Sequence, residues 1–151
     1  PVDLNENALV DEWSTDLGVG CKYFSQDAVI KLAPRAGIEI DPSLTPAEKL
    51  KVVQKLMEAD HARAQQVFTD IGVYLAYALQ QYSQFYDIRC LMLLGRVMSG
   101  KGGDTILATC QKVLADQFPA LAETVNVTLP DEKTRRVGQS VAAASLPEIL
   151  K

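Results

Sequence analysis

The stretch LMLLGRVMSGKGGDTILATC, residues 91–110, constrains the fold more than any other part of this sequence. It begins within a short apolar run, IRCLMLL at residues 88–94, which is typical of a buried strand covered on both faces. A loop with four glycines and a helix-like segment follow, and TVNVTL at residues 124–129 alternates as a second strand does. The order strand, glycine loop, helix, strand favours an α/β layer architecture.

The helix after the glycine loop is expected to begin at Asp104 or Thr105, with one apolar face directed inward. On the second strand, alternation predicts a single apolar face. The inward residues of the helix and the strand are predicted to be Ile106, Leu107, Cys110, Val113, Leu114, Val125, Val127 and Leu129.

The segment before the apolar run predicts the longest helix of the chain, with Asp60 as a candidate N-cap. A glycine within a helix costs about 1 kcal/mol relative to alanine, so Gly72 indicates close packing against another element. Tyrosines along this helix are expected to serve packing or a dimer face. The apolar stripe recurs at three- and four-residue steps: Val67, Phe68, Ile71, Leu75, Ala78, Leu79, Tyr82 and Tyr86.

Two shorter helices are predicted upstream. Ser25 is expected to cap QDAVIKLAPRAG, and Gly37 to end it. The motif TPAE at residues 45–48 predicts a capping box that starts a second helix, which we expect to run to about Ala59.

The two ends of the chain are less regular in pattern. Residues 1–24 show no clear hydrophobic period and are expected to form an irregular lead-in. At the other end, PDEKTRR predicts a turn and VGQSVAAASL predicts a closing helix of small residues. The elements are expected to form one domain, residues 1–151, although two strands are too few for an independent sheet. Either the N-terminal segment supplies more strands, or something outside the chain completes the sheet. Three aromatic side chains are expected to anchor the lead-in against the core: Trp13, Tyr23 and Phe24.

Composition and charge exclude several classes of function. The net charge of −4 argues against direct nucleic-acid binding, and no apolar run approaches the roughly 18–20 residues that cross a bilayer. Three widely spaced cysteines and no secretory signal predict a cytoplasmic protein with reduced thiols, in which Cys90 and Cys110 belong to the core. His61 is the only histidine and is expected on the surface, so we expect no zinc or other metal site.

The glycine loop admits three interpretations. From Gly95 it reads G-x-x-x-x-G-K-G, one residue short of the phosphate-binding P-loop pattern, and Gly102 stands where that pattern needs a hydroxyl for Mg²⁺. The P-loop interpretation is therefore disfavoured although Lys101 is present. A plain turn explains only backbone geometry, and four glycines in nine residues exceed what one turn needs. A glycine loop at a helix N-terminus directs several N–H groups at one spot, which suits an anion or a nucleotide.

Residues 67–114 resemble the C-terminal part of the ROK family, the sugar kinases and sugar-responsive repressors of the actin-like ATPase superfamily. In that family a long helix and a buried strand lead to a glycine-rich adenosine-binding loop, which here would be LMLLGRVMSGKGG. VNVTLPDEKTRRVGQSVAAASL resembles the closing strand, acidic turn and Gly-Ala-Ala helix, and GVGCKYFSQDAVIKLAPRAG resembles the segment after the family's zinc loop. The resemblance extends from Gly18 to Leu146.

This resemblance implies a partial actin-like ATPase (ribonuclease H-like) domain, helix-rich with a small sheet. It implies the C-terminal nucleotide-binding half of an ATP-dependent kinase for a hexose such as glucose, with ATP and Mg²⁺ as cofactors. No catalytic residue is expected in this chain. The implied nucleotide-binding residues are Gly95, Arg96, Val97, Ser99, Gly100, Gly102 and Gly103.

The departures from the family pattern limit what the chain can do. It lacks the family's zinc loop, its phosphate loop and its catalytic Asp, and Cys21 falls where a sugar-binding Glu is expected. Arg96 replaces a family glycine, and it could stack on adenine, contact phosphate or pair with a surface carboxylate. We therefore expect no sugar phosphorylation by the isolated chain. The alternatives are a non-catalytic binding or dimerisation domain of a ROK-type regulator, associating through helical faces, and an unrelated α/β domain.

Overall fold

The computed structural model describes residues 2–130, which contain six α-helices and two short strands. This content confirms the prediction of a helix-rich chain with a small sheet, compatible with a mixed α/β class. The predicted closing turn and helix lie beyond residue 130, outside the described residues. In chain order the elements are α1 Cys21–Phe24, α2 Gln26–Arg35, α3 Pro46–Glu58, α4 Ala62–Tyr82, β1 Cys90–Met92, a 3₁₀ turn Arg96–Met98, α5 Gly100–Gln117, α6 Pro119–Thr124 and β2 Asn126–Thr128.

The predicted helix starts of α2 and α3 are confirmed. The Ser25 hydroxyl accepts a hydrogen bond from the Asp27 N–H at 3.1 Å, which satisfies a backbone donor that has no partner inside the helix. Thr45 and Glu48 form the predicted capping box: the Thr45 N–H donates to the Glu48 carboxylate at 2.9 Å, and the Glu48 N–H donates to the Thr45 hydroxyl. Gly37, with φ at +74°, follows the end of α2 as predicted.

Asp60 does not cap α4, so that prediction is wrong. The N-cap is His61, and Asp60 instead has the left-handed φ of 57°. The N–H of His61 donates to the Leu56 carbonyl at 3.0 Å, and the N–H of Asp60 donates to the Met57 carbonyl at the same distance. This pair of bonds is the Schellman arrangement, in which the left-handed residue ends one helix. Asp60 therefore terminates α3 rather than starting α4.

The core is centred on the packing of α4 against α5. Gly72 lies where the helices meet: a Cβ added there would come within 2.7 Å of the Thr109 Cβ and 2.8 Å of the Ile106 carbonyl oxygen. The predicted close approach at Gly72 is thus confirmed. Around it lie fully buried side chains from both helices: Val67, Phe68, Ile71, Leu79, Ile106, Cys110 and Leu114.

β1 and β2 form a two-stranded parallel sheet, as the strand–helix–strand order predicts, with Cys90 opposite Asn126 in the register. The prediction that the first strand is buried on both faces is wrong, because within residues 2–130 the helices cover one face only. Leu93 is buried, whereas Met92 is 49% and Leu94 60% exposed. Cys90 is exposed as well, which corrects its assignment to the core.

The N-terminal segment, residues 2–20, contains no helix, and its strand-like pairing is one bridge between Val10 and Leu17. Trp13 does not anchor it: the indole is 96% exposed at the tip of a turn. Asp3 supplies an anchor instead, since its carboxylate accepts a hydrogen bond from the buried Tyr23 hydroxyl.

A buried lysine fixes the same segment to α2. The Lys22 ammonium pairs with Asp27 at 2.9 Å, with Glu12 and with Asp11 at 3.9 Å. Only 7% of the Lys22 side chain is exposed, so its charge depends on these carboxylates. The hydrogen bonds that the ammonium donates to Glu12, and then to Asp27, raise the pKa of Lys22 and keep it charged.

Candidate functional site

The glycine loop leaves the carboxyl end of β1 and leads into α5. Gly95, its first residue, has φ at +107°, a conformation that disfavours other residues. A Cβ on Gly95 would meet no atom within 4 Å, so the glycine is required by its backbone and not by a packed neighbour. In parallel sheets the carboxyl ends of strands are where ligands commonly bind.

A cleft of about 390 Å³ opens beside this loop. Leu94–Val97 form one wall, and Phe24, Ser25, Gln26 and Asp27, at the beginning of α2, form the other. The structure thus brings the predicted residues Gly95, Arg96 and Val97 to one cleft. Sequence patterns could not locate its second wall, because the two walls are about seventy residues apart in the chain.

Arg96 is the charged residue of the loop, and its side chain is exposed. Within residues 2–130 the cations in ion pairs are Lys22, Arg89, Lys101 and Lys112, so Arg96 has no carboxylate partner there. Its backbone is held in place, because its carbonyl accepts a hydrogen bond from the Gln54 side-chain amide at 2.9 Å.

The N-terminus of α5 already holds an anionic group of the protein itself. The Glu58 carboxylate accepts a hydrogen bond from the Lys101 N–H at 2.9 Å, at the end of the helix where a P-loop would bind phosphate. The Lys101 ammonium donates to the Glu58 carbonyl at 3.1 Å and to the Asp60 carboxylate at 2.8 Å. This geometry is not that of a P-loop, since both the helix terminus and the lysine have internal partners.

The remaining glycines of the loop lie inside α5, which begins at Gly100 and not at Asp104 or Thr105 as expected. A Cβ on Gly102 would lie 2.6 Å from the Phe68 ring, and one on Gly103 would overlap the Met98 carbonyl. Both residues are buried and serve close packing, which outweighs the poor helix propensity of glycine. Ser99, the N-cap of α5, is exposed, as is Gly100.

The cysteines and tyrosines fall into structural roles. Cys110 is fully buried, as predicted, and burial raises the pKa of its thiol to about 11. Tyr74 packs edge-on against Tyr23, with the ring centroids 5.8 Å apart. Tyr77 packs the same way against Phe118, at 5.2 Å. These ring contacts support a packing role for the two tyrosines.

Thiol labelling is expected to separate the three cysteines. In the folded chain, Cys90 and then Cys21 should react with an aromatic disulfide reagent, whereas Cys110 should react only after unfolding, because the thiolate is the reactive form. Burial, followed by the hydrogen bond to Asp11, raises the pKa of Cys21, which should make it slower than Cys90. Mass spectrometry of quenched samples measures the order, and rapid labelling of Cys110 would contradict it.

Sequence reasoning did not identify a second cavity, of about 690 Å³, between the N-terminal segment, α2 and α4. Lys31 and Arg35 line it from α2, and Tyr74 and Tyr77 line it from α4. The available signal was the pair of cations four residues apart on one helix, together with two tyrosines three apart on another. Nothing in the sequence pattern indicated that these two helix faces meet.

Searches of protein-family models, curated protein sequences and solved structures found no match to the chain. The ROK resemblance therefore stays a prediction. Between residues 2 and 130, no helix is long and apolar enough to cross a membrane. The same residues include no cluster of three or more His, Cys, Asp or Glu side chains that could hold a metal ion.

Proposed function

We propose that the chain is the adenosine-binding half of a ROK-like sugar kinase, and that the cleft beside Gly95–Val97 receives the nucleoside of ATP. The observation that carries this proposal is the cleft itself, in which an open left-handed glycine and an arginine with no ion-pair partner in residues 2–130 follow the carboxyl end of a parallel strand. The complete protein, in this proposal, is a cytoplasmic enzyme that transfers a phosphoryl group from ATP, with Mg²⁺, to a hexose such as glucose.

The geometry favours the nucleoside over the phosphates as the part that this chain contacts. A guanidinium group is planar and stacks on aromatic rings, so Arg96 can cover a base in the cleft. Lys101 and the N-terminus of α5 are bound to Glu58 and Asp60, so they do not form a phosphate clamp. Phosphoryl transfer needs such a clamp and a positioned base. The chain alone is therefore proposed to bind the nucleotide without turning it over.

Nucleotide titration with matched variants tests the proposal. We expect ATP, ADP and adenosine to bind with similar affinity, because the base and ribose make the contacts. Arg96→Ala should weaken all three about tenfold, whereas Lys101→Ala should leave affinity within about threefold. Calorimetry with Mg²⁺ present gives the dissociation constants. No saturable binding of any of the three below about 1 mM would overturn the nucleotide proposal for the isolated chain.

A second candidate function is a non-catalytic dimerisation domain of a ROK-type regulator. It is favoured by exposed aromatic side chains at and after the end of α4, where Tyr77 is 53%, Phe85 76% and Tyr86 68% exposed. A contiguous exposed apolar patch is more typical of an association surface than single exposed residues are, and Phe85 and Tyr86 line one shallow pocket. Sedimentation of the parent and of Phe85→Ser tests it, since an interface here predicts a dimer that the substitution weakens.

A further inference from the structure

The cavity between the N-terminal segment, α2 and α4 has an unusual charge pattern. Lys31 and Arg35 both face it from α2, one helical turn apart. Neither cation has a carboxylate within ion-pair distance in the described residues, where ion pairs involve other cations. Two like charges thus share one cavity without a carboxylate in contact with either of them.

The position of Lys31 is costly when nothing is bound. Its ammonium lies 3.8 Å from the centre of the Tyr23 ring and 5.8 Å from that of Tyr74. Burial first, and then the nearby charge of Arg35, lower the pKa of Lys31. Ring faces attract a cation but cannot replace the anion that a partly desolvated lysine lacks. A negatively charged ligand would relieve both the desolvation and the repulsion.

The acidic residue of the cavity, Asp3, fills this role only in part: its charge raises the pKa of Lys31, but by less than burial and Arg35 lower it. Its carboxylate accepts hydrogen bonds from the Tyr23 hydroxyl and from the Asn5 N–H. The hydroxyl bond is the main reason that the pKa of Asp3 is lowered, so it stays ionised. One carboxylate against two cations leaves the cavity with a surplus of one positive charge.

The tyrosines that line the cavity pack against other aromatic rings. Tyr23 and Tyr74 meet edge to face with an interplanar angle of 78°, and Tyr77 meets Phe118 at 88°. A volume of about 690 Å³ is in the range of ligand sites for small organic molecules, and tyrosine rings suit the flat face of a ring-shaped group.

We propose that this cavity binds a small phosphate monoester, with the phosphate between Lys31 and Arg35 and a ring-shaped organic group against Tyr74 and Tyr77. Phosphate fits better than a carboxylate because its three terminal oxygens can accept hydrogen bonds from the Lys31 ammonium and from the forked N–H groups of Arg35 together. The site lies apart from the cleft at Gly95, and it does not depend on the proposed nucleotide function.

Phenyl phosphate and inorganic phosphate are suitable probes. NMR or calorimetry on the full chain at low salt measures their binding. We expect phenyl phosphate to bind several-fold more tightly than inorganic phosphate, because only the former contacts the tyrosines. Lys31→Met and Arg35→Met should each weaken phenyl phosphate binding about tenfold or more, and Lys31→Arg should retain it within about threefold.

The matched control is Lys51→Met, which removes an exposed lysine from α3 and should leave binding within about twofold. Thermal unfolding shows whether each variant is folded, and Arg35→Met tests the site if Lys31→Met does not fold. Equal binding by the Lys31→Met and Lys51→Met variants, or no binding of phenyl phosphate by the parent below about 10 mM, would refute the phosphate site. Arg96→Ala should not alter phenyl phosphate binding, which separates this result from the nucleotide test.

Discussion

Phe68→Ala is expected to lower the free energy of unfolding by about 3–5 kcal/mol, the usual cost of removing a buried aromatic ring. Phe68 is fully buried in α4, and its ring covers Gly102 in the first turn of α5. Truncation would leave a cavity beside a glycine, which has no side chain to fill it. Urea denaturation followed by circular dichroism measures the effect.

The control for this experiment is Gln65→Ala, on the exposed side of the same helix, which should change stability by less than about 0.5 kcal/mol. If Phe68→Ala does not fold, Phe68→Leu keeps most of the volume and should cost about 1 kcal/mol. A loss below about 1 kcal/mol for Phe68→Ala would mean that the α4–α5 contact is not the centre of the core.

Gly103→Ala is expected to cost about 2–3 kcal/mol, because the new methyl group would overlap a backbone carbonyl and no rotamer change can relieve that clash. The carbonyl belongs to Met98 in the 3₁₀ turn, so relief requires movement of the loop itself. Asp104→Ala, the next position and an exposed one, is the matched control and should remain within about 0.5 kcal/mol of the parent.

The Gly103 result also distinguishes two roles of the glycine loop. A ligand role alone predicts that Gly103→Ala reduces nucleotide affinity while the melting temperature is unchanged. The packing observed at Gly102 and Gly103 predicts instead that Gly103→Ala lowers the melting temperature. An unchanged melting temperature would contradict the packing role.

Helix starts could be predicted from the sequence because their signals are local. Ser25 and the Thr45–Glu48 pair satisfy backbone donors within three residues of themselves, so the interaction is contained in the motif. The α4 stripe as far as Tyr82, and Gly72 within it, were predictable for a related reason: a helix has a fixed period, and a buried glycine in it needs a close neighbour. The inclusion of Tyr86 in the stripe was wrong, because α4 ends at Tyr82 and Tyr86 is exposed.

The errors arose where distant contacts decide the structure. Local propensity argues against a helix that begins with glycines, yet α5 begins at Gly100, where Glu58 binds the backbone of its first turn. Aspartate is a residue type favoured at helix N-caps, but Asp60 has the left-handed conformation that ends α3. Trp13 shows that an aromatic residue is not always a core residue, since the lead-in is held by Asp3 and Lys22 instead.

The same limit applies to the two candidate sites. Gly95 and Arg96 stand out in the sequence, but the other wall of their cleft comes from the start of α2. The cavity at Lys31 depends on how α2 crosses α4, which no periodicity reports. A sequence pattern can predict one wall of a site, and tertiary packing determines what lies opposite.

The short parallel sheet has a consequence for how the chain must be handled. Within residues 2–130, β1 and β2 pair only with each other, so the outer edge of β1 has no strand partner there, whereas on β2 the Val127 carbonyl accepts a hydrogen bond from the Gln111 side-chain amide. Met92 at the end of β1 and Leu94 just after it expose their apolar side chains. An edge of this kind recruits further strands, whether from a proper partner or from a neighbouring copy. Concentrated solutions of the isolated chain should therefore aggregate by strand addition, and Met92→Lys should suppress that aggregation.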